Sequence, residues 1–396
     1  MPVEAPYTTP KRALTFLFLT VFIDLLGVGI LVPVIPYLVR RYDSDALAVG
    51  MLSAAFALAQ FLASPLLGLW SDRAGRRPVL LISLFGTGVG YFMFGLGGGM
   101  AVLFVSRLID GFTGGNISTV QAYIADVTPP QDRAKTFGLI GAAFGVGFIF
   151  GPAIGGLLSQ FDIRAPAFAA GFLALANTTF GFFSLPESLP PEKRQKRPFH
   201  PRDLDPILPM VGYLRRPNLR LLLWAVFAFN FAQSGLQSNF AVYTLNRFHW
   251  SPKDNAWMFV YLGLVSAIVQ GWLVRRLVPR TGERNLGIWG PLLTCAGFAA
   301  IAYAPQSWWI FLGISISALG GLSGPALQSL ITQRASPQEQ GTLQGVIQSV
   351  SSLTRILGPL WAGFCFDHIG MSAPYWSGAA VVFIAWFLVW SDLRHS

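Results

Sequence analysis

The sequence predicts an all-α membrane protein with twelve transmembrane helices in two pseudo-symmetric six-helix bundles. Hydrophobic residues make up 53% of its 396 residues and charged residues only 12%, whereas a soluble domain carries about 25% charged residues. The apolar residues are gathered into long runs, and the two halves of the chain repeat residues at a constant spacing. Such a chain lacks the polar surface that a protein in water needs, so we expect it in a lipid bilayer.

Twelve apolar stretches reach the roughly 20 residues that a helix needs to cross a bilayer. Tryptophan and tyrosine near several of their ends fit the interfacial belts of membrane helices. The stretches lie at 13–39, 48–70, 78–98, 101–126, 134–158, 166–185, 219–247, 254–277, 285–304, 307–333, 341–366 and 374–392.

The positions of lysine and arginine predict the orientation, because cytoplasmic loops carry an excess of both residues. Of the 28 Lys and Arg residues, 21 fall on one side, five on the other, and Arg107 and Arg355 within helices. We therefore expect an integral protein of the cell (inner or plasma) membrane with both termini in the cytoplasm. The net charge of +10 does not indicate a nucleic-acid partner, because the basic residues are spread over short loops.

The chain is expected to divide into five segments. Its longest polar stretch, rich in proline and basic residues, follows the sixth helix. We interpret it as a cytoplasmic linker with a short surface helix near 203–215; a regulatory or lipid-headgroup role for its basic cluster is the alternative. The predicted segments are a cytoplasmic N-terminal tail at 1–12, the N-terminal bundle at 13–185, the linker at 186–218, the C-terminal bundle at 219–392 and a cytoplasmic C-terminal tail at 393–396.

The two bundles are predicted from residues that recur at an offset of 207 positions. Two parallel repeats predict a pseudo-twofold axis along the membrane normal and a substrate site between the bundles, near the middle of the membrane. The recurring pairs are Gly114 and Gly321, Gln121 and Gln328, Pro130 and Pro337, Gly138 and Gly345, and Gly151-Pro152 and Gly358-Pro359.

Three motifs carry a resemblance to a known family. The stretch Gly68-Leu69-x-x-Asp72-Arg73-x-Gly75-Arg76-Arg77 resembles the helix 2–3 signature of the major facilitator superfamily, and Arg107-x-x-x-Gly111 resembles its helix 4 motif. The stretch Gly145-x5-Gly151-Pro152-x-x-Gly155-Gly156 resembles the helix 5 motif of its drug/proton antiporters. Within the superfamily the chain is similar to the tetracycline-efflux subfamily, with the closest stretches at Phe22–Ile30, Ala122–Asp126 and Gly324–Gln328.

The resemblance implies the major facilitator fold and a drug/proton antiporter that works by alternating access. It implies no cofactor, with the proton gradient as the driving force. The chain departs from the tetracycline exporters at three polar positions in helices 3, 9 and 8, where it has Gly90, Thr294 and Ser266. Proton and drug handling are therefore not expected to match those relatives residue by residue.

The resemblance also implies a cytoplasmic gate in the hairpin between helices 2 and 3. Asp72 would face the start of helix 11 near Gly341, where free backbone N–H groups favour an anion. Arg76 or Arg77 would pair with Asp126 at the end of helix 4. The implied gate residues are Gly68, Asp72, Arg73, Gly75, Arg76, Arg77 and Asp126.

Four ionisable side chains lie deep in the predicted helices, namely Asp24, Arg107, Asp110 and Arg355. Because such a group costs about 2.5–3.5 kcal/mol or more in the hydrocarbon core, each is a functional candidate. Asp24 is predicted to bind and release protons, with Arg107 adjusting its affinity. The alternative is a permanent Asp24–Arg107 ion pair that joins helices 1 and 4. Asp110 is either a second proton-binding group or the partner of Arg107 on the same helix face.

The substrate cavity is predicted from the remaining deep polar groups. Arg355 either reaches the first bundle, binds an anionic group of a substrate, or extends along a water-filled cavity. Uncharged amides are candidates to line an otherwise apolar cavity, although an amide on a membrane helix also forms helix–helix hydrogen bonds. The candidates are Asn116, Gln121, Asn230, Gln233, Gln237, Gln328 and Gln348.

Glycine and proline residues in helices 5 and 11 are predicted pivots or close helix contacts, because proline removes a backbone donor and glycine permits close approach. Packing without a pivot is the alternative. The residues are Gly151, Pro152, Gly155, Gly156, Gly358 and Pro359.

These patterns favour a secondary active transporter that exports a small hydrophobic or amphiphilic compound in exchange for protons. The expected partners are that compound, protons and the lipid bilayer, with the monomer as the functional unit. A facilitator or importer of an anionic metabolite that uses Arg355 is the alternative, and a non-transporting receptor is a more distant one. The sequence shows no catalytic constellation, and the residues Cys295 and Cys365 do not form a metal-site pattern, so neither an enzyme nor a bound metal is expected.

Overall fold

Helices make up nearly all of the computed structural model, which describes residues 11–42, 45–129, 133–195, 207–336 and 339–395. No strand occurs within these ranges. The tail up to residue 10, linker residues 196–206, Pro130 and Pro337 lie outside these ranges, and so do the predictions made for them.

The first half of the chain supplies eight helices. The fourth predicted stretch is divided between two of them, which the 3₁₀ turn Gly114–Asn116 joins. The helices are α1 (Lys11–Leu31), α2 (Ile35–Val39), α3 (Ala46–Ala74), α4 (Arg76–Leu96), α5 (Met100–Thr113), α6 (Ile117–Val127), α7 (Arg133–Leu158) and α8 (Ala165–Ser184).

The second half also supplies eight helices. A π-helical turn, Val269–Leu273, joins α11 to α12, and α12 is kinked at Gly282, whose φ of 76° is not helical. The helices are α9 (Ile207–Leu214), α10 (Arg220–Phe248), α11 (Pro252–Ile268), α12 (Val274–Tyr303), α13 (Trp308–Gly320), α14 (Ser323–Thr332), α15 (Gln340–His368) and α16 (Ala373–His395). Each of the twelve predicted stretches thus coincides with a helix or with consecutive helices.

Seven helical segments of the described residues are long and apolar enough to cross a membrane. Two shorter apolar helices, Leu17–Leu31 and Gly145–Leu158, fall on the first and fifth predicted stretches. The all-α membrane fold predicted from composition is therefore confirmed. The seven segments are Ala46–Ala74, Arg76–Leu96, Ala165–Ser184, Pro252–Leu273, Arg276–Tyr303, Trp308–Thr332 and Ala373–Arg394.

The chain forms two compact units. Unit 1 comprises the described residues up to Val34 and those of Leu58–Leu204, and unit 2 comprises Ile35–Ala57 and the described residues from Asp205 onward. Helix α3 therefore begins in unit 2 and ends in unit 1. The predicted bundle boundaries differ from this division and stay a prediction.

Glycines set the close packing of α1 against α7 in unit 1. A Cβ atom placed on Gly151 would lie 2.7 Å from the Cα of Gly29, and one on Gly155 would collide with the carbonyl oxygen of Ile30. Small residues permit such close approach of membrane helices. These predicted pivot positions are thus close contacts, and whether they also act as pivots stays a prediction.

The core of unit 2 lies between α10, α15 and α16. Leu222, Val346 and Val382 are among its fully buried members. Gly358 brings α15 onto α10, because a Cβ atom there would lie 2.7 Å from the carbonyl oxygen of Phe231. The short helix predicted in the linker is found as α9, whose residues Ile207 and Gly212 are exposed. Its residue Tyr213 is 6% exposed because α9 packs into this core.

Side chains of unit 2 hold the start of α3. Asp367, in the last turn of α15, accepts hydrogen bonds from the backbone N–H groups of Ala46 (3.0 Å) and Leu47 (2.7 Å). The first N–H groups of a helix have no partner within the helix, so this carboxylate caps α3. Nearby, the hydroxyl of Tyr37 donates to the carbonyl oxygen of Trp250 at 2.6 Å.

Candidate functional site

Unit 1 contains a buried ion pair within α5. Nη1 of Arg107 lies 3.1 Å from Oδ2 of Asp110, and their side chains are only 7% and 3% exposed. The two residues are three positions apart, so they share a helix face. Asp110 is thus paired with Arg107, and whether it also binds protons stays a prediction. The alternative in which Arg107 forms its permanent pair with Asp24 is not the arrangement found.

Two aromatic rings of α4 lie against the Arg107 guanidinium. Its Cζ is 4.5 Å from the ring centroid of Phe94 and 5.8 Å from that of Tyr91. A guanidinium over an aromatic face is attracted by the negative charge of the ring face. The two rings therefore stabilise the cation in an apolar environment, where a charge is otherwise unfavourable.

Several polar atoms of this cluster have no hydrogen-bond partner among the described residues. They are Nε and Nη2 of Arg107 and the hydroxyl oxygen of Tyr91. Buried polar atoms are usually hydrogen-bonded. Three such atoms beside one ion pair therefore indicate a place where a water molecule can complete the hydrogen bonding.

Asp24 lies beside this cluster on α1 and is half-buried. With Thr20 and Asn116 it lines a cavity of about 30 Å³, which is large enough to hold water. Asp24 also interacts electrostatically with Asp110. Asp24, Arg107, Asp110 and the predicted cavity residue Asn116 thus belong to one region of unit 1.

Tyr91 is the member of this region that the sequence did not predict. Its side chain is 1% exposed, and it interacts electrostatically with Asp24, Arg107 and Asp110. A tyrosine on an apolar helix is usually a packing residue. The available signal was its spacing of three residues from Phe94, which places both rings on one helix face.

The hairpin between α3 and α4 is organised by Arg76. Its guanidinium contacts Asp72 at 2.5 Å and Asp126 at 3.1 Å, and it donates to the hydroxyl of Ser71 at 2.6 Å. Gly75 makes the turn with a φ of 107°, which favours glycine. The Arg76–Asp126 pair implied by the resemblance is therefore present. The contact of Asp72 with the start of α15 stays a prediction, as does the gating role.

Glu187, a linker residue that the sequence did not single out, caps α4. Its carboxylate accepts hydrogen bonds from the backbone N–H groups of Arg76 (2.8 Å) and Arg77 (3.3 Å). The backbone N–H of Gln195 also donates to the carbonyl oxygen of Asp72 at 2.9 Å. The first residues of the linker therefore fold onto the hairpin and are part of its structure.

Comparison with known proteins identifies the family. The family model described as the Major Facilitator Superfamily matches residues 17–281 and 276–395. The chain belongs to the Major Facilitator Superfamily. It is a membrane transporter, and the resemblance drawn from the motifs is confirmed.

Two relatives of this transporter carry drug-resistance names. The class C tetracycline resistance protein of Escherichia coli is 34% identical over 383 residues, covering 96% of this chain and 95% of the relative. Multidrug resistance protein 2 of Bacillus subtilis (strain 168) is 30% identical over 390 residues, covering 97% and 96%. These relatives favour export over the facilitator or importer alternative.

Solved structures agree with the fold of the transporter. The human organic anion transporter MFSD10 (TETRAN) has a TM-score of 0.72 and 29% identity, with 98% of this chain and 100% of that chain covered. The nucleoside transporter NupG has a TM-score of 0.79 at 14% identity, covering 97% and 100%, and it shows likeness of fold alone.

Packing explains two of the departures from the tetracycline exporters. A Cβ atom on Gly90 would lie 3.0 Å from the Cβ of Asp110, so this superfamily member has no room there for an added carboxylate. Thr294 is fully buried, and a Cβ atom on Gly320 would collide with its hydroxyl. Both positions therefore lie in closely packed helix contacts.

The other residues predicted to line the substrate cavity differ in their hydrogen bonds and in their exposure. Asn230 donates to Ser351 at 3.1 Å and Gln328 donates to Gln344 at 3.1 Å, as the helix–helix alternative foresaw. Gln233 is half-buried. The exposed members are Gln121, Gln237, Gln328, Gln348 and Arg355.

Proposed function

We propose that this superfamily member is a secondary active exporter that exchanges protons for a small hydrophobic or amphiphilic compound by alternating access. The observation that carries the proposal is the buried cluster of Asp24, Tyr91, Arg107 and Asp110. It combines two acids, one cation and unfilled hydrogen-bonding capacity beside a water-sized cavity. The drug-resistance names of the relatives support the same direction of transport.

The charges of the cluster suggest how protons are coupled. With every group ionised, two acids and one arginine give a net charge of −1. One proton on Asp24 makes the cluster neutral, which lowers the cost of enclosing it away from water. Asp24 borders the cavity, so it is the acid that water reaches. The protonated cluster then favours an enclosed state, and the charged cluster favours a state that is open to water.

Other parts of the protein are proposed to act in gating and substrate binding. The Asp72–Arg76–Asp126 contacts act as the cytoplasmic gate, and the substrate binds among the amides of the cavity. Both termini lie in the cytoplasm, the monomer is the functional unit, and the proton gradient replaces any cofactor. An apolar cavity with few fixed polar points suits amphiphilic compounds better than sugars.

Transport in proteoliposomes tests the proposal. An imposed pH gradient should drive accumulation of ethidium or tetracycline by the wild-type protein. Asp24→Asn should abolish the dependence on the gradient and leave probe binding, because the amide cannot take up a proton. Asp162→Asn, which removes an exposed acid, is the matched control and should behave as wild type. Gradient-driven transport that persists in Asp24→Asn would refute the assignment.

A further inference from the structure

Arg355 is a charged residue that the proton-binding cluster does not use. It stands about half-way along α15 and is exposed. A cation at that depth of a membrane helix is costly and usually has a partner.

The acids of unit 2 do not neutralise it. Among the described residues of this unit, no acid forms an ion pair with Arg355. The acids lie near helix ends or at the kink of α12, and five of them have other partners. Asp254 accepts from Ser251, Glu283 from Ser329 and Gln333, Glu339 from Arg216, Asp367 from the backbone of α3, and Asp392 from Arg334.

Helix geometry shows which residues share a face of α15 with Arg355. Residues three or four positions apart share a helix face, so Gln344, Gln348, Ser351, Arg355 and Pro359 lie in one row along α15. At the end of this row, a Cβ atom on Gly50 of α3 would collide with the carbonyl oxygen of Pro359. The Pro359 end of the row therefore lies against the start of α3.

A second polar row continues this surface. Ser351 accepts a hydrogen bond from Asn230 of α10. Gln233 and Gln237 follow Asn230 at spacings of three and four, so they share its face. Unit 2 thus presents a polar surface with several uncharged amides, a single cation and no described acid.

We infer that Arg355 binds an acidic group, such as a carboxylate or sulfonate, on the transported amphiphile. A guanidinium presents a planar set of donors that matches such an anion. The neighbouring amides supply further donors, and the apolar remainder of the cavity takes the hydrophobic part of the compound. This inference rests on the proposed export function and specifies the substrate class. The acidic group takes the place of the missing counter-ion.

Two dyes that differ by a single acidic group provide the test. The probe 8-anilinonaphthalene-1-sulfonate has the same two ring systems as N-phenyl-1-naphthylamine, with a sulfonate added. Binding of each is measured on purified protein in lipid nanodiscs, with empty nanodiscs subtracted. Arg355→Gln should weaken binding of the sulfonate dye about tenfold or more and change binding of the neutral dye less than about twofold. Arg355→Lys should restore part of the loss.

Controls separate this inference from its rivals. Arg280→Gln removes the same charge from an exposed position and should leave both dyes unaffected. Equal effects of Arg355→Gln on both dyes, or no effect on either, would overturn the inference. So would recovery of transport when Asp24→Asn or Asp110→Asn is added to Arg355→Gln, since Arg355 would then be a counter-ion of that acid. Gradient-driven export of the neutral dye should survive in Arg355→Gln; that export tests the proposed function and not the role of Arg355.

Discussion

Arg107 and Asp110 form a buried ion pair one turn apart on α5, with 3.1 Å between Nη1 and Oδ2. Breaking such a pair leaves a buried charge without compensation, which costs about 3–5 kcal/mol, whereas removing both partners costs far less. The stability of unit 1 should therefore depend on keeping the charges of Arg107 and Asp110 balanced.

We expect Arg107→Gln and Asp110→Asn each to lower the thermal stability of the protein, and the double variant to recover most of the loss. The double variant also restores the net charge of −1, because only Asp24 remains charged. Proton-coupled transport should therefore be stronger in the double variant than in either single variant. Thermal unfolding in detergent and pH-gradient-driven transport are the measurements. Additive losses in the double variant would contradict the charge-balance argument.

Tyr91→Phe removes a hydroxyl that has no hydrogen-bond partner among the described residues and keeps the ring beside Arg107. Stability should change by less than about 0.5 kcal/mol, since no hydrogen bond is lost. Transport should slow if the hydroxyl gains a partner in another state of the cycle. Tyr91→Ala is the comparison and should cost about 3–5 kcal/mol through loss of the buried ring. A Tyr91→Phe variant with unchanged transport would assign the residue to packing alone.

Glu187→Ala should lower stability by about 1 kcal/mol, the usual cost of losing a helix N-cap. Its carboxylate accepts hydrogen bonds from the backbone N–H groups of Arg76 and Arg77 at the start of α4. These bonds help to keep the hairpin that contains Arg76 in place. Transport should slow, because the hairpin is proposed to act as the cytoplasmic gate. Substrate affinity should stay within about twofold, because the hairpin is not proposed to bind the substrate. Glu192→Ala, in the same segment, is the control. Stability unaltered in Glu187→Ala would show that water replaces the cap.

Glu339 gives a pH-dependent prediction outside the membrane-spanning segments. A hydrogen bond from Arg216 lowers the pKa of Glu339 from its ordinary value of 4.5. A group whose pKa is lowered by folding stabilises the protein above its ordinary pKa, and that contribution is lost as the pH falls through the lowered value. The melting temperature should therefore fall more steeply below about pH 4.5 in the wild type than in Glu339→Gln. High salt should reduce the difference, because both partners are exposed. Identical pH profiles would show that this ion pair contributes nothing.

The sequence was sufficient for most of the architecture because each membrane helix is specified locally, by a long apolar run. The Arg76–Asp126 pair came from the family resemblance, since no local pattern joins residues 50 positions apart. Glu187, Tyr91 and the Asp367 cap were missed for the same reason. Their partners lie on distant segments, and an acid in a loop or a tyrosine in a helix carries no signal of what it meets. The amides were predicted as candidates for the cavity, and that stays a prediction; the sequence did not reveal which of them bond to neighbouring helices.

Helix α3 has its first three turns in unit 2, capped by Asp367 of α15, and its remainder in unit 1. The two sequence repeats meet at the linker, but the two compact units do not divide there, because the start of α3 belongs to unit 2. A polypeptide cut in the linker and made as two pieces would leave the start of α3 on one fragment and its cap on the other. The carbonyl oxygen of Trp250 would lose the hydroxyl of Tyr37 in the same way. We therefore expect the start of α3 to be less stable in the first fragment alone than in the intact chain.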